Sequence, residues 1–188
     1  MPAPETQAVL PESERPALVS PGIFRQAMRQ LAGACTIITS ADDSGTIEGW
    51  TGLAATAVCS VSAEPPRLLV CVNRSVWAHQ VIFKSRRLAV NVLSDGQEPI
   101  IRRFSGGGVC APEDKFKSGT WNVMVGGAPL LQDALVGFDC TVAEIFSGST
   151  HDIFICDVHA VNDNGLSRSP LIYFNGQFCS GLSALEQI

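Results

Sequence analysis

The sequence predicts a mainly β fold, a closed or partly closed antiparallel barrel with few helices. Seven or so apolar, β-branched segments of strand length recur between turn signals, and only three helical segments interrupt them. That ratio does not fit the strict β-α-β alternation of a doubly wound sheet. With 46% hydrophobic and 16% charged residues, the 188-residue chain has ample material for one packed core and is not largely disordered.

The first 22 residues hold five of the eleven prolines, at positions 2, 4, 11, 16 and 21, and read as an N-terminal arm. A single domain then spans 23–188. Ile23, Phe24, Ala27, Met28 and Leu31 recur at helical spacing, predicting an amphipathic helix with one face on the core. Cys35-Thr36-Ile37-Ile38-Thr39 reads as a strand that stops at Asp42-Asp43-Ser44-Gly45. Trp50 to Val61 reads as one long extended stretch closed by Pro65-Pro66. Leu68 to Val72 is continuously apolar, as a strand buried on both faces would be. Leu88 to Val92, Leu135 to Ile145 and Ile153 to Val161 follow as strands, and Leu171 to Phe174 pairs with Phe178-Cys179 across the turn Asn175-Gly176. Trp77, Val81 and Ile82 mark a helix with Ser75 as its cap, and Ser94-Asp95-Gly96-Gln97 has capping-box spacing ahead of Ile100, Ile101 and Phe104.

Composition and spacing exclude several chemistries. A formal charge of −5 repels a phosphate backbone, so no nucleic-acid partner is expected. Residues 1–22 carry Glu5, Glu12 and Glu14 and no long apolar run, so neither a secretory leader nor a membrane span is expected there. Seven cysteines, never closer than 12 residues, form no Cys-x-x-Cys pair; free thiols in the cytoplasm, mostly small core residues, are the expectation. The three histidines make no metal-ligand pair, and no metal is expected. Gly106-Gly107-Gly108 lacks the Lys-Ser/Thr of a P-loop and reads as a flexible loop.

Three segments are candidates for a site. Asn73-Arg74-Ser75 lies where a strand ends and a helix begins, so helix N–H groups, a hydroxyl and a guanidinium would converge on a volume suited to a phosphate monoester. Most such turns bind nothing, so a purely structural turn fits the residues too. Gly52 to Ser62 carries small side chains at nearly every position, where strands usually carry bulk. Two uses suit it equally: a flat ring with a polar edge lying on the main chain, or tight packing of a helix or second subunit. His151 opens a strand after Ser147-Gly148-Ser149-Thr150. It is either a surface residue or a contact to a charged or hydride-donating ligand.

In order, Thr56 to Ser62 before Pro65-Pro66, Leu69 to Ser75, Ala89 to Ser94 and Lys115-Phe116 ahead of Trp121 resemble blocks of the short-chain flavin reductase family. Gly127-Ala128-Pro129-Leu130, Thr150 to Phe154 and Pro170 to Phe174 continue the likeness, which runs from about Phe24 to Leu182. Ser149 to Cys156, with Phe138-Asp139-Cys140 upstream, is similar to the pyrimidine-degradation branch of that family. The resemblance implies an FMN-binding split barrel, an antiparallel Greek-key-like barrel. It implies an enzyme that moves a hydride from NADH or NADPH to FMN or FAD and hands reduced flavin to a partner monooxygenase, working as a homodimer. It further implies that Ala54, Ala55, Thr56, Ala57, Ser60 and Val61 hold the ring and ribityl chain. Asn73 and Ser75 would serve the ribityl-phosphate region with Phe104 close by, and Cys71, Val72 and Arg74 would also bind the cofactor. His151 would face the nicotinamide, and Tyr173 and Phe178 would wall the pocket. Two departures from the pattern are visible: Ala54 stands where the family commonly has Thr, and Thr150 where an acidic residue often precedes the histidine. Other readings are a reductase that retains its flavin and serves another acceptor, such as a cobalt corrinoid, and a non-enzymatic flavin- or haem-binding split barrel.

Overall fold

A computed structural model describes residues 12–106, 112–164 and 168–180. The chain opens with helix α1 (Pro21–Met28) and strands β1 (Gly33–Ala34), β2 (Thr36–Ala41), β3 (Trp50–Ala55), β4 (Val58–Ala63) and β5 (Pro66–Asn73). Helix α2 (Trp77–Ser85), β6 (Arg87–Val92) and the short helices α3 (Glu98–Arg102) and α4 (Pro112–Lys115) follow. It ends with β7 (Trp121–Val123), β8 (Pro129–Leu131), β9 (Val136–Ser147), β10 (His151–Asp163), β11 (Ile172–Phe174) and β12 (Gln177–Cys179).

Seven strands form one antiparallel sheet in the order β3-β2-β6-β9-β10-β5-β4. Its two edge strands, β3 and β4, are consecutive in the chain and joined only by Thr56 and Ala57. A link that short spans roughly 10 Å even when fully extended, so the sheet must curl until its edges nearly meet. Ala57 O accepts the Cys71 N–H of β5 at 3.1 Å at that seam. The run from Trp50 to Val61 is therefore not one strand: it breaks at Thr56-Ala57, and its two halves lie on opposite edges of the sheet.

Strand β2 is the most deeply placed, with all six residues buried. Ile37 and Ile38 point to opposite faces, as the two-residue period of a strand requires. Ile38 joins Val70, Val72, Leu88, Val90 and Phe154 inside the barrel. Ile37 joins Cys35, Leu93, Phe104, Phe116 and Leu171 in a second cluster outside it. Asn91 ties the layers together: its Nδ2 donates to Ile37 O at 3.0 Å, and its Oδ1 accepts the Leu131 N–H at 2.7 Å. The turn Asn175-Gly176 joins β11 to β12 with φ of 49° and 80°, the paired left-handed conformation that a two-residue hairpin demands.

Three further expectations are corrected. Helix α1 starts at Pro21 with Ser20 as its cap, so the helix takes in the last two residues of the proline-rich segment. The same helix buries none of its residues: Phe24 is 56% and Ile23 62% exposed, so its apolar face does not rest on the core of its own chain. Strand β5 alternates, with Leu68, Val70 and Val72 buried and Leu69 and Cys71 half-buried, because only one of its faces looks into the barrel. Helix α2 buries Ala78, His79, Val81 and Ile82 but leaves Trp77 63% exposed. Of the cysteines, Cys35, Cys140 and Cys156 are core residues, Cys71 and Cys179 are half-buried and Cys59 is exposed. Cys110, Gly107, Gly108 and residues 1–11 lie outside the described residues.

Phe154 is wholly buried and has the largest side chain in that class. Phe154→Ala is expected to lower unfolding stability by about 3–5 kcal/mol, read as a reduced urea midpoint at unchanged slope.

Candidate active site

A cleft of about 900 Å³ lies beside the seam of the barrel. That is ample for a nucleotide-sized ligand. Its floor is the end of β3 and the link beyond it, Leu53 to Ala57, where three alanines leave the space a bulkier strand would occupy. Cys71 and Asn73 of β5 border the floor, and His151 enters from the start of β10, opposite Asn73 in the strand register. Glu98, Ile101 and Arg102 of α3, with Phe104, Ser105 and Gly106 after it, form one wall. A backbone bond from Ala54 N–H to Phe104 O (3.0 Å) ties that wall to the floor. Tyr173, Gly176, Gln177 and Phe178 of the last hairpin form the other wall. There Tyr173 and Phe178 meet edge to face at 5.5 Å.

Ten of the fifteen residues singled out in the sequence line this cleft: Ala54, Ala55, Thr56 and Ala57, then Cys71 and Asn73, then Phe104, His151, Tyr173 and Phe178. The other five do not. Ser60 and Val61 fall on β4, beyond the break in the chain and on an exposed edge. Val72 points into the barrel and is fully buried. Ser75 does not cap α2: its N–H donates to Asn73 Oδ1 at 2.9 Å, and Val76 holds the cap position without a side-chain bond.

Arg74 departs furthest from the sequence reading. Its guanidinium is not free for an anion but grips the buried Asp152, with Nε at 2.7 Å and Nη2 at 2.6 Å from Oδ1. The other Asp152 oxygen lies 2.8 Å from Nε2 of His79, itself packed against Phe83 and Phe154. Arg74 Nη2 also donates to Gly148 O at 2.9 Å, and its N–H to Thr150 O at 3.0 Å. The network thus pins the 147–151 turn on which His151 is mounted. His151 itself is exposed, with Nδ1 held 2.8 Å from the Thr150 hydroxyl, so contact with a ligand falls to Nε2.

Hydrogen bonds from Arg74, and then from His79, favour the charged Asp152 and hold its carboxyl below the usual range despite burial. Cys35 also lines the cleft, but burial, with Cys179 nearby, pushes its thiol up to about 11. It is therefore protonated at neutral pH and unsuited to nucleophilic work. Sequence reading missed Glu98, Arg102 and the Asp152–His79 contact. The four-residue spacing of Glu98 and Arg102 after a capping box was a visible signal for the first two. Nothing local signalled the third, whose partners lie 73 positions apart.

The profile of the flavin reductase like domain matches residues 28–182. The chain belongs to that family. A Rhizobium rhizogenes protein named FMN reductase (NADH) RutF 2 is 43% identical over 155 residues, covering 82% of this chain and 86% of that one. The Pantoea ananatis FMN reductase (NADH) RutF is 39% identical over 175 residues, covering 93% and 87%. Among solved structures, YcdH of Haemophilus somnus, a candidate flavin reductase, superposes with a TM-score of 0.80 at 36% identity, covering 87% of this chain and all of that one. The Streptomyces globisporus NADH:FAD oxidoreductase SgcE6, solved with NAD and FAD fragments, gives 0.75 at 27% identity, covering 87% and 96%. This chain thus shares its split-barrel fold with both solved structures.

The cleft of this chain suits a flavin on its own geometry: the floor is stripped of bulk, the far wall is aromatic and the volume is sufficient.

Since the folded Asp152 carboxyl sits below its unfolded value, its contribution to stability is present above about pH 4 and is lost as pH falls through the folded value. Acid unfolding followed by circular dichroism should therefore show a shallower low-pH limb for Asp152→Asn, with a lower melting temperature at pH 7.

Proposed function

We propose that this chain is an NAD(P)H-dependent flavin reductase that uses NADH to reduce FMN and releases the reduced flavin to a partner monooxygenase. The observation that carries this reading is the alanine floor of the cleft, set between an aromatic hairpin and a single histidine in a chain of this family. Flavin held in the cleft would supply the chemistry, as the acceptor of a hydride from the reduced nicotinamide.

The chain's own residues need only position and exclude water. Ala54, Ala55 and Ala57 admit the ring to the main chain, Tyr173 and Phe178 close its far side, and Asn73 borders the polar end. His151 Nε2 contacts the nicotinamide nucleotide. A carboxylate pair or metal is not required, because no proton transfer has to accompany hydride movement at the donor carbon. Residues 23–188 constitute the reductase domain, and its setting is the cytoplasm. No described helix is long and apolar enough to cross a membrane.

The working unit of this proposal is a homodimer. Ile23, Phe24, Met28 and Leu31 present an apolar face on or beside α1 that the chain's own core leaves uncovered, and a second copy would cover it.

Purified protein is expected to oxidise NADH when FMN is added and to release the flavin on gel filtration; no oxidation with any pairing of NADH or NADPH with FMN or FAD would refute the reading. His151→Ala should lower turnover severalfold with little change in flavin affinity. Wild-type values for both would leave His151 a surface residue. Phe24→Asp should shift the molar mass by light scattering from two chains towards one.

A further inference from the structure

The cleft must accept ligands that carry several negative charges, on a chain whose net charge is −5. A phosphate ester moves into such a site only where a cation or a set of N–H donors replaces its water. All 13 Lys and Arg residues lie among the described residues, and only Arg102 lines the cleft. Arg74, which sequence reading placed at the anion, is committed to Asp152 and Gly148. Arg103 donates to Asp114 O, Lys115 donates to Gly52 O beneath the floor, and Arg67 and Arg87 are held by carboxylates.

Arg102 is held ready rather than locked. Its Nε and Nη2 lie 2.7 Å and 2.5 Å from Glu98 Oε1, and its guanidinium sits 5.0 Å from the centroid of the Phe178 ring. Its side chain is 63% exposed, and an ion pair so exposed contributes little to stability, so Glu98 can give up the guanidinium to a better anion at small cost. A phosphate dianion is that better anion, since it carries more negative charge than a carboxylate and also accepts two parallel N–H bonds from a guanidinium. Phe178 fixes the plane of the group meanwhile. The wall that carries Arg102 is bonded to the alanine floor through Ala54 N–H and Phe104 O, which places the cation with whatever lies on that floor.

We propose that Arg102 binds the phosphate monoester of the flavin and thereby makes the enzyme select the phosphorylated flavin over riboflavin, with Glu98 as the internal anion that the phosphate displaces. The inference rests on the flavin reductase reading above, and riboflavin supplies the control that separates the two.

The experiment compares NADH oxidation with FMN and with riboflavin in wild type, Arg102→Gln, Arg102→Lys and Glu98→Gln. The expected result is a fall of about tenfold or more in the FMN-to-riboflavin ratio of kcat/KM in Arg102→Gln, the size of one lost charge-assisted contact. Arg102→Lys should restore part of that ratio, and Glu98→Gln should raise it, because the guanidinium is no longer shared. Taking a ratio cancels any packing change against Phe178. In wild type, added salt should raise the KM for FMN and leave that for riboflavin flat. An unchanged ratio in Arg102→Gln alongside a flat salt response for FMN would overturn the proposal. An unchanged ratio with a raised KM for NADH would overturn it in favour of the dinucleotide pyrophosphate. Absence of NADH oxidation with either flavin would instead refute the reductase reading itself.

Discussion

The two-residue link between β3 and β4 is the constraint on which the rest of this molecule depends. Because Thr56 and Ala57 must carry the chain from one edge of a seven-stranded sheet to the other, the sheet has no freedom to stay open. Closure brings the start of β10, the end of β5 and the end of β3 to one rim, and these are three of the elements that line the cleft. A longer connection would relax the curl and disperse those side chains. The site is therefore a by-product of closure, which explains why its floor is main chain and alanine rather than a set of reactive groups.

Around that rim, rigidity and looseness are distributed unevenly. The His151 side is stiff: Asp152 is buried and held by Arg74 and His79, and the turn before it is bonded at Gly148 and Thr150. The Arg102 side is loose, a solvent-exposed pair on a five-residue helix. Hydride transfer tolerates little positional error, whereas capture of an anion tolerates much. On the proposed roles of His151 and Arg102, order lies where the reaction would need it.

Much of the fold was legible because its signals are local. The β-branched run of β2, the Asn175-Gly176 hairpin and the Ser94–Gln97 box, where Ser94 N–H donates to Gln97 Oε1 at 2.9 Å, each follow from a few adjacent residues. What escaped was long-range. Nothing between Trp50 and Ala63 interrupts an extended pattern, so the break at Thr56-Ala57 becomes visible only when the two halves find different neighbours. The resemblance groups Ser60 and Val61 with the floor, and no local signal in the extended pattern separates them from it. Arg74 looked available because its partner, Asp152, lies 78 positions away. The apolar face of α1 satisfied the helical period, but a period cannot say whose core it meets.

One buried thiol has a chemical consequence. Reduced flavin that misses its acceptor passes electrons to dioxygen and yields peroxide, so a protein that makes it works within its own oxidant. Cys35 borders the cleft but is almost wholly buried, and that low-polarity setting keeps the sulfur in the unreactive protonated form. That one thiol of the lining is thereby shielded from the oxidant, which favours a long working life for the catalyst.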